Sequence, residues 1–376
     1  MNIITQYAAT IRGATAKGNK GAIVLFDKAI NKNDLVCDAD ISLETLANEI
    51  KSKDLIKSIC IKELGTFYIG DSYDYANETL CMFNNTTAQF AYTSAKLTGR
   101  SAVMSNRVAI VTGGAQGFGE GIVRQLVEAE ALVFIADMNI EGAKKLADEL
   151  NLNAQKTIAL PVAVNVTDED SIIAMLDEVA INAGGVDLFV NNAGVLKAAS
   201  VKEQTAQDLK FVTDVNYTGY FLCVKHVSKV MEIMNTYADD AYFTDIIQIS
   251  SKSGLEGSNK NGSYAGSKFG GIGLTQSFAL ELVTDNTKVN SICPGNFFDG
   301  PLWSDPERGL FVQYLNTGKV PGAKTIEDVK AFYESKVPMN RGCDGKDVTK
   351  AILYAVEQEY ETGQAIPVTG GQVMLN

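Results

Sequence analysis

From about residue 105 the chain alternates short apolar runs with amphipathic stretches of helical length, and few folds accept that alternation. Buried strands joined through helices lie parallel, with helices covering both faces, so the pattern predicts a doubly wound α/β domain. Strands are expected at 107–111, 131–136, 157–162, 186–190, 243–249, 288–292 and, last and short, 365–368. Helical periodicity runs from the loop after the first strand to about 129, then over 139–150, 168–181, 206–234, 263–283 and 347–357. The stretch from 206 reads as one long helix. Residues 300–340 hold polar, helix-prone pieces and few strand signals.

The first hundred residues do not join this alternation. Strands are expected at 21–26, 55–61 and 66–69 and a helix at 73–83, and Leu43, Leu46 and Ile50 mark one face of another helix. Residues 84–105, rich in Asn, Thr, Ser and Ala, read as a connector. The chain therefore divides into a small amino-terminal α/β extension, 1–104, and a larger α/β domain, 105–376. The extension carries no paired carboxylates, glycine loop or histidine, so a separate activity there is not expected.

Composition narrows the function classes. A net charge of -12 argues against nucleic acid and against an anionic membrane surface as partners. No apolar run is long enough to span a bilayer, and the first residues lack a signal-type pattern. The six cysteines lie far apart without paired spacing, which reads as reduced structural thiols in a cytoplasmic protein. The single histidine, His226, excludes a multi-histidine metal site and falls within a predicted helix as a structural residue; no metal is expected.

Two groups of residues carry chemistry. Thr112-Gly113-Gly114-Ala115-Gln116-Gly117-Phe118-Gly119 follows a strand and opens a helix, where glycines let a pyrophosphate approach backbone amides. Asp137 ends the next strand, twenty residues past Gly117. A carboxylate there accepts from an adenosine ribose and repels a 2'-phosphate, and Met138 and Asn139 supply no cation, so NAD is favoured over NADP. Asn191-Asn192-Ala193-Gly194 follows the fourth strand with small residues that admit a cofactor and asparagines that tie strands together. The other group is Ser251, Tyr264 and Lys268. A spacing of four puts Tyr264 and Lys268 on one helix face, where an ammonium would lower the phenol's pKa and make it a usable base. Ser251 would hold the substrate oxygen. By itself the spacing is equally that of a solvated helix face.

With these motifs in order, residues from about 105 to 376 resemble the short-chain dehydrogenase/reductase family. The residues that carry the likeness are the Thr112–Gly119 loop, Asn191–Gly194, Asn216, Ser251, Tyr264, Lys268 and Pro294-Gly295. The resemblance implies a Rossmann-type sheet of about seven parallel strands, usually in tetramers. Its catalytic residues map to Asn216, Ser251, Tyr264 and Lys268. Its cofactor contacts map to Gly113, Gln116, Gly117, Phe118, Gly119, Asp137, Asn165, Val166, Asn192, Ala193, Gly194, Pro294 and Gly295, with Tyr264 and Lys268. Asn216 would hold a water beside Lys268 as a proton path. Asn165 departs from the aspartate usual after the third strand, and Phe297-Phe298-Asp299-Gly300-Pro301 replaces a threonine-containing segment.

Within the family, the stretches 251–258, 268–277 and 362–374 resemble those of polyol-phosphate dehydrogenases. That implies exchange between a sugar-alcohol phosphate and a ketose phosphate, with Ser251, Lys252, Ser253, Lys260 and Asn296 around the substrate and Arg341 a weaker phosphate candidate. The lysines read equally well as solvated surface groups. Two alternatives stay open: the same chemistry on an uncharged polyol or lactaldehyde, and a non-catalytic NAD-binding sensor or scaffold. Residues 64–70, followed by a helix, are similar to the end of class II sugar-phosphate aldolase domains, which implies a structural or assembly role for the extension.

Overall fold

A computed structural model describes residues 1–30, 34–94, 96–307, 309–316, 318 and 320–374. The amino-terminal part runs α1 (Ile3–Ala14), β1 (Ile23–Asp27), β2 (Leu35–Cys37), α2 (Leu43–Lys51), β3 (Ser58–Ile61), β4 (Gly65–Gly70), α3 (Tyr73–Asn84) and α4 (Arg100–Met104). Its four strands form one mixed sheet in the order β1-β4-β3-β2. The helix α1 was not expected from the sequence. It has no acidic residue in its first turn, and most of its residues are buried.

The larger part continues with β5 (Val108–Thr112), α5 (Gly117–Glu128), β6 (Leu132–Asp137), α6 (Ile140–Ala154), β7 (Ala159–Ala163), α7 (Glu169–Ala183) and β8 (Leu188–Asn191). Then come α8 (Ala206–Thr213), α9 (Gly219–Tyr237), β9 (Thr244–Ile249), α10 (Gly262–Leu282) and β10 (Thr287–Pro294). The chain ends with the short helices α11 (Pro301–Ser304), α12 (Leu310–Asn316) and α13 (Ile326–Glu334), then α14 (Gly345–Glu357) and β11 (Ala365–Val368). The seven strands β11-β10-β9-β8-β5-β6-β7 form one parallel sheet, as the alternation predicts. The strands β5, β8 and β9 are buried along their whole length, which is why they read as continuous apolar runs. One apolar core lies between the sheet and α5, α6 and α14, and another between the sheet and α7, α9 and α10.

The single helix expected at 206–234 is interrupted. A π turn, Asp214–Thr218, separates α8 from α9. One extra residue per turn shifts the side-chain phase and turns Asn216 inward, where it is 2% exposed.

The amino-terminal sheet lies against this core. The helix α1 packs on α7 and α9, β1 packs on α7, and Ala9, Ile23, Leu25 and Tyr68 join the same apolar cluster as Val179, Val227 and Met234. Arg12 reaches under the large sheet and pairs with Asp187, which precedes β8, at 2.5 Å; both side chains are buried. Asp187 also accepts from the Tyr242 hydroxyl and the Val108 amide. Arg107, Lys288 and Asp245 form a second buried ionic group at this edge, opposite the strands' carboxyl ends.

Candidate active site

The carboxyl ends of β5, β6, β8, β9 and β10 converge on one crevice, the position where open parallel sheets bind ligands. The loop between β5 and α5 is held by close backbone packing. Gly113 and Gly117 both take φ of 62°, which disfavours a side chain. A Cβ on Gly119 would lie 1.9 Å from the Gly113 carbonyl oxygen. No side chain caps α5, so its first amides keep no side-chain partner and remain turned to the crevice.

Two residues brace this loop. The Asn192 amide donates to the Thr112 and Gly113 carbonyls at 2.9 and 3.1 Å. The Asn192 and Ala193 amides donate to the Thr112 hydroxyl at 3.0 and 3.1 Å, so Thr112 is the hub joining β5 to β8. Asp137 accepts from the Ala115 amide at 3.0 Å and from the Asn139 amide at 2.9 Å, fixing its carboxylate at the end of β6. An uncapped helix end, a loop that only glycine fits and a carboxylate at the next strand's end suit a nicotinamide dinucleotide. Asn165 is engaged in its own turn, accepting from the Thr167 amide and hydroxyl, and Val166 is buried against Gly219. Gly295 follows β10 and donates to Val368 at 2.9 Å, and the Asn296 amide faces Gln372.

Tyr264, Lys268, Ser251 and Asn216 lie in one neighbourhood of the crevice. The first turns of α10 carry Tyr264 and Lys268, and the lysine ammonium lies 5.6 Å from the tyrosine ring centroid. Its Nζ donates to the Ile249 carbonyl at 2.8 Å. Asn216 accepts from the Val195 amide at 2.8 Å and donates to Val195 at 2.9 Å and to Ser267 at 3.1 Å. A Cβ on Gly194 would sit 3.4 Å from Asn216 Oδ1 and 3.6 Å from Lys268 Nζ, so these two atoms border one small space. The Ser251 hydroxyl lies beside the Tyr264 phenol and accepts from the Ser253 amide at 3.1 Å.

The electrostatics correct one expectation. Lys268 does not pull the phenol below its ordinary range. Burial pushes Tyr264 up, with the Ser251 hydroxyl working against that and the Cys293 thiol adding to it. Burial also pushes the Lys268 ammonium down to about 8. Desolvation is the largest influence on both groups.

Among the substrate candidates, Ser253 is buried and Lys252 lies 3.5 Å from Glu256, while Lys260 is exposed in a left-handed conformation. Arg341, the weaker phosphate candidate, is paired with a carboxylate. Its guanidinium grips Asp347 at 2.5 and 2.9 Å and so closes the start of α14. His226 bonds Glu169 at 2.6 Å outside the crevice, consistent with a structural residue. Among the described residues no group of His, Cys, Asp and Glu could hold a metal, and no helix could cross a membrane. Sequence reading missed Ser267, whose hydroxyl donates to the Tyr264 carbonyl at 2.7 Å and joins it to Asn216. Its position three residues after Tyr264 on the same helix is the signal that could have found it.

Comparison with known proteins agrees with this geometry. A family profile described as short chain dehydrogenase matches residues 107–303. Over 268 residues the chain is 37% identical to sorbitol-6-phosphate 2-dehydrogenase of Escherichia coli, covering 71% of this chain and 98% of that protein. A crystal structure of sorbitol-6-phosphate 2-dehydrogenase from Erwinia amylovora matches with a TM-score of 0.65 and 39% identity, covering 71% of this chain and all of that one. A 3-oxoacyl-(acyl-carrier-protein) reductase of Thermotoga maritima is 29% identical over 267 residues.

Proposed function

The chain belongs to the short-chain dehydrogenase/reductase family of nicotinamide-dependent oxidoreductases, and on that footing we propose that it interconverts sorbitol 6-phosphate and fructose 6-phosphate with NAD. The observation that carries the reading is the 37% identity to a dehydrogenase of that name over nearly its full length, in a chain that keeps Asn216, Ser251, Tyr264 and Lys268 together. NAD is preferred because Asp137 is held where a ribose 2'-hydroxyl would be read and no cation follows it.

The bound nicotinamide supplies the two-electron acceptor, and the chain's residues handle the proton and the substrate. Ser251 donates to the substrate oxygen and stabilises charge that builds on it. Tyr264 takes the hydroxyl proton in oxidation and returns it in reduction. Because burial holds the phenol high, oxidation requires that its negative form be stabilised at the moment of transfer by the nearby Lys268 ammonium. Asn216 and Lys268 border the space beside Gly194, where a water would relay the proton outward. Lys252 and Lys260 are the cations proposed for the substrate phosphate, each acting as a point charge. The assembly is proposed to be a homotetramer.

A second reading, the same chemistry on an uncharged polyol or lactaldehyde, is favoured by the pairing of Arg341, the weaker phosphate candidate, with Asp347. A single NADH-linked assay separates the two. The panel is sorbitol 6-phosphate, mannitol 1-phosphate, free sorbitol and lactaldehyde, with NADP as the cofactor control. The expected result is turnover of the phosphate substrate with NAD, abolished in Tyr264→Phe although NADH still binds. The KM for the phosphosugar should rise in Lys252→Ala and Lys260→Ala. Full activity in Tyr264→Phe would remove the tyrosine from the chemistry, and an unchanged KM in both lysine variants would remove the phosphate site.

A further inference from the structure

Resting on the dinucleotide site above, we propose that Phe118 and Phe297 form an aromatic clasp across the cofactor crevice that must open before the cofactor can leave. Phe118 is the second residue of α5, on the turn whose amides are left open, and Phe297 lies three residues beyond the end of β10. Their rings stack, with centroids 4.5 Å apart and planes 22° from parallel.

Sheet order makes this contact a bridge. The strands β10 and β5 are separated by β9 and β8, three strand spacings or about 14 Å. Three extended residues cover about 10 Å, so the segment after β10 runs across the strand ends and the two side chains close the remainder. Each of the adjacent phenylalanines is seated on a glycine. A Cβ on Gly300 would fall 2.3 Å from the Phe297 ring, and one on Gly342 would fall 3.0 Å from the Phe298 ring. Phe298 turns away from the crevice into a separate apolar cluster with Trp303, Phe311, Val329 and Val337, the core of the segment between β10 and α14. Successive residues thus point in opposite directions, one anchoring that segment and one fastening it to the cofactor helix. Phe118 and Phe297 both remain half-buried, so the stack can part without opening a core.

The two phenylalanines are positioning residues: they hold the segment over the crevice and take no part in the chemistry. In the experiment, NADH is displaced from the full-length protein by excess NAD in a stopped-flow instrument, and release is followed by NADH fluorescence. Phe297→Ala, Phe297→Leu and Phe118→Leu should each speed release by roughly 3- to 10-fold, the strength of one aromatic pair. Phe297→Tyr should keep the parent rate. The double variant Phe118→Leu/Phe297→Leu should be no faster than the faster single one, because both lose the same contact. Emission from Trp303, the chain's one tryptophan, reports whether the segment stays folded, and Phe118→Leu tests the clasp without touching that segment. Unchanged release, or single effects that multiply in the double variant, would overturn the clasp and leave the cofactor site standing. A parent protein that binds no NADH would overturn both.

Discussion

Lys268 shows what a motif spacing leaves out. Its distance of four residues from Tyr264 puts both groups on one face of α10, but solvation sets their protonation. The ammonium's ordinary value of 10.5 falls to about 8 on folding, through burial. The unfolded chain therefore binds more protons than the folded one between those values, and stability rises with pH across that window. Well below pH 8 the folded protein carries the full cost of the buried charge. A shift of this size corresponds to roughly 3 kcal/mol. Urea unfolding from pH 8 to 10.5 should show the parent protein gaining about that much relative to Lys268→Met. Parallel pH profiles for the two proteins would refute the buried ammonium. At the same scale Asp137 does two things: it braces the glycine loop through Ala115 and presents a carboxylate at the crevice, so a substitution there perturbs both.

At the scale of elements, the loop and first turn of α5 are the most exacting part of the site. Gly119 has the Gly113 carbonyl where a Cβ would stand, at 1.9 Å. Gly119→Ala must therefore push the loop away from β8, at a stability cost of roughly 1–3 kcal/mol. It should also weaken NADH binding by about tenfold or more, since each 1.4 kcal/mol lost is a factor of ten. Titration calorimetry and thermal unfolding together check this, and a variant that binds NADH normally would show that the loop tolerates displacement. The π turn before α9 is the counterpart for the proton path. It was invisible to periodicity because a single inserted residue leaves the apolar pattern on either side intact, yet it decides that Asn216 faces Ser267 rather than solvent. The last strand, 365–368, and the helix beginning at Leu43 fall where the periodicity places them, because turn residues and polar faces bound them clearly.

The whole molecule holds a result that no motif announced. The proposed boundary near residue 104 separates two sheets, but α1 shares an apolar cluster with α7 and α9, and Arg12 is the cation nearest to the buried Asp187 carboxylate. Removing one partner of a buried pair costs about 3–5 kcal/mol because the other charge is stranded. Arg12→Met should destabilise the dehydrogenase part by that order. The parent protein should unfold in one transition whether followed by far-ultraviolet circular dichroism or by Trp303. Two separated transitions, or an Arg12→Met protein as stable as the parent, would show that the amino-terminal part is an independent appendage.

The sequence alone determined the class of fold and marked the residues proposed for the chemistry of the crevice. Alternating apolar runs allow only a covered parallel sheet, and a glycine loop, a strand-end carboxylate and a tyrosine–lysine pair are local patterns that survive in one dimension. Tertiary structure decided what depends on distant segments meeting. Burial reversed the expected direction of the Tyr264 phenol, Arg341 found Asp347 as its partner, the path after β10 brought Phe297 onto Phe118, and the packing of α1 placed Arg12 beneath the large sheet. Desolvation and pairing are properties of neighbours in space, and chain spacing carries them only when those neighbours share one helix or one turn.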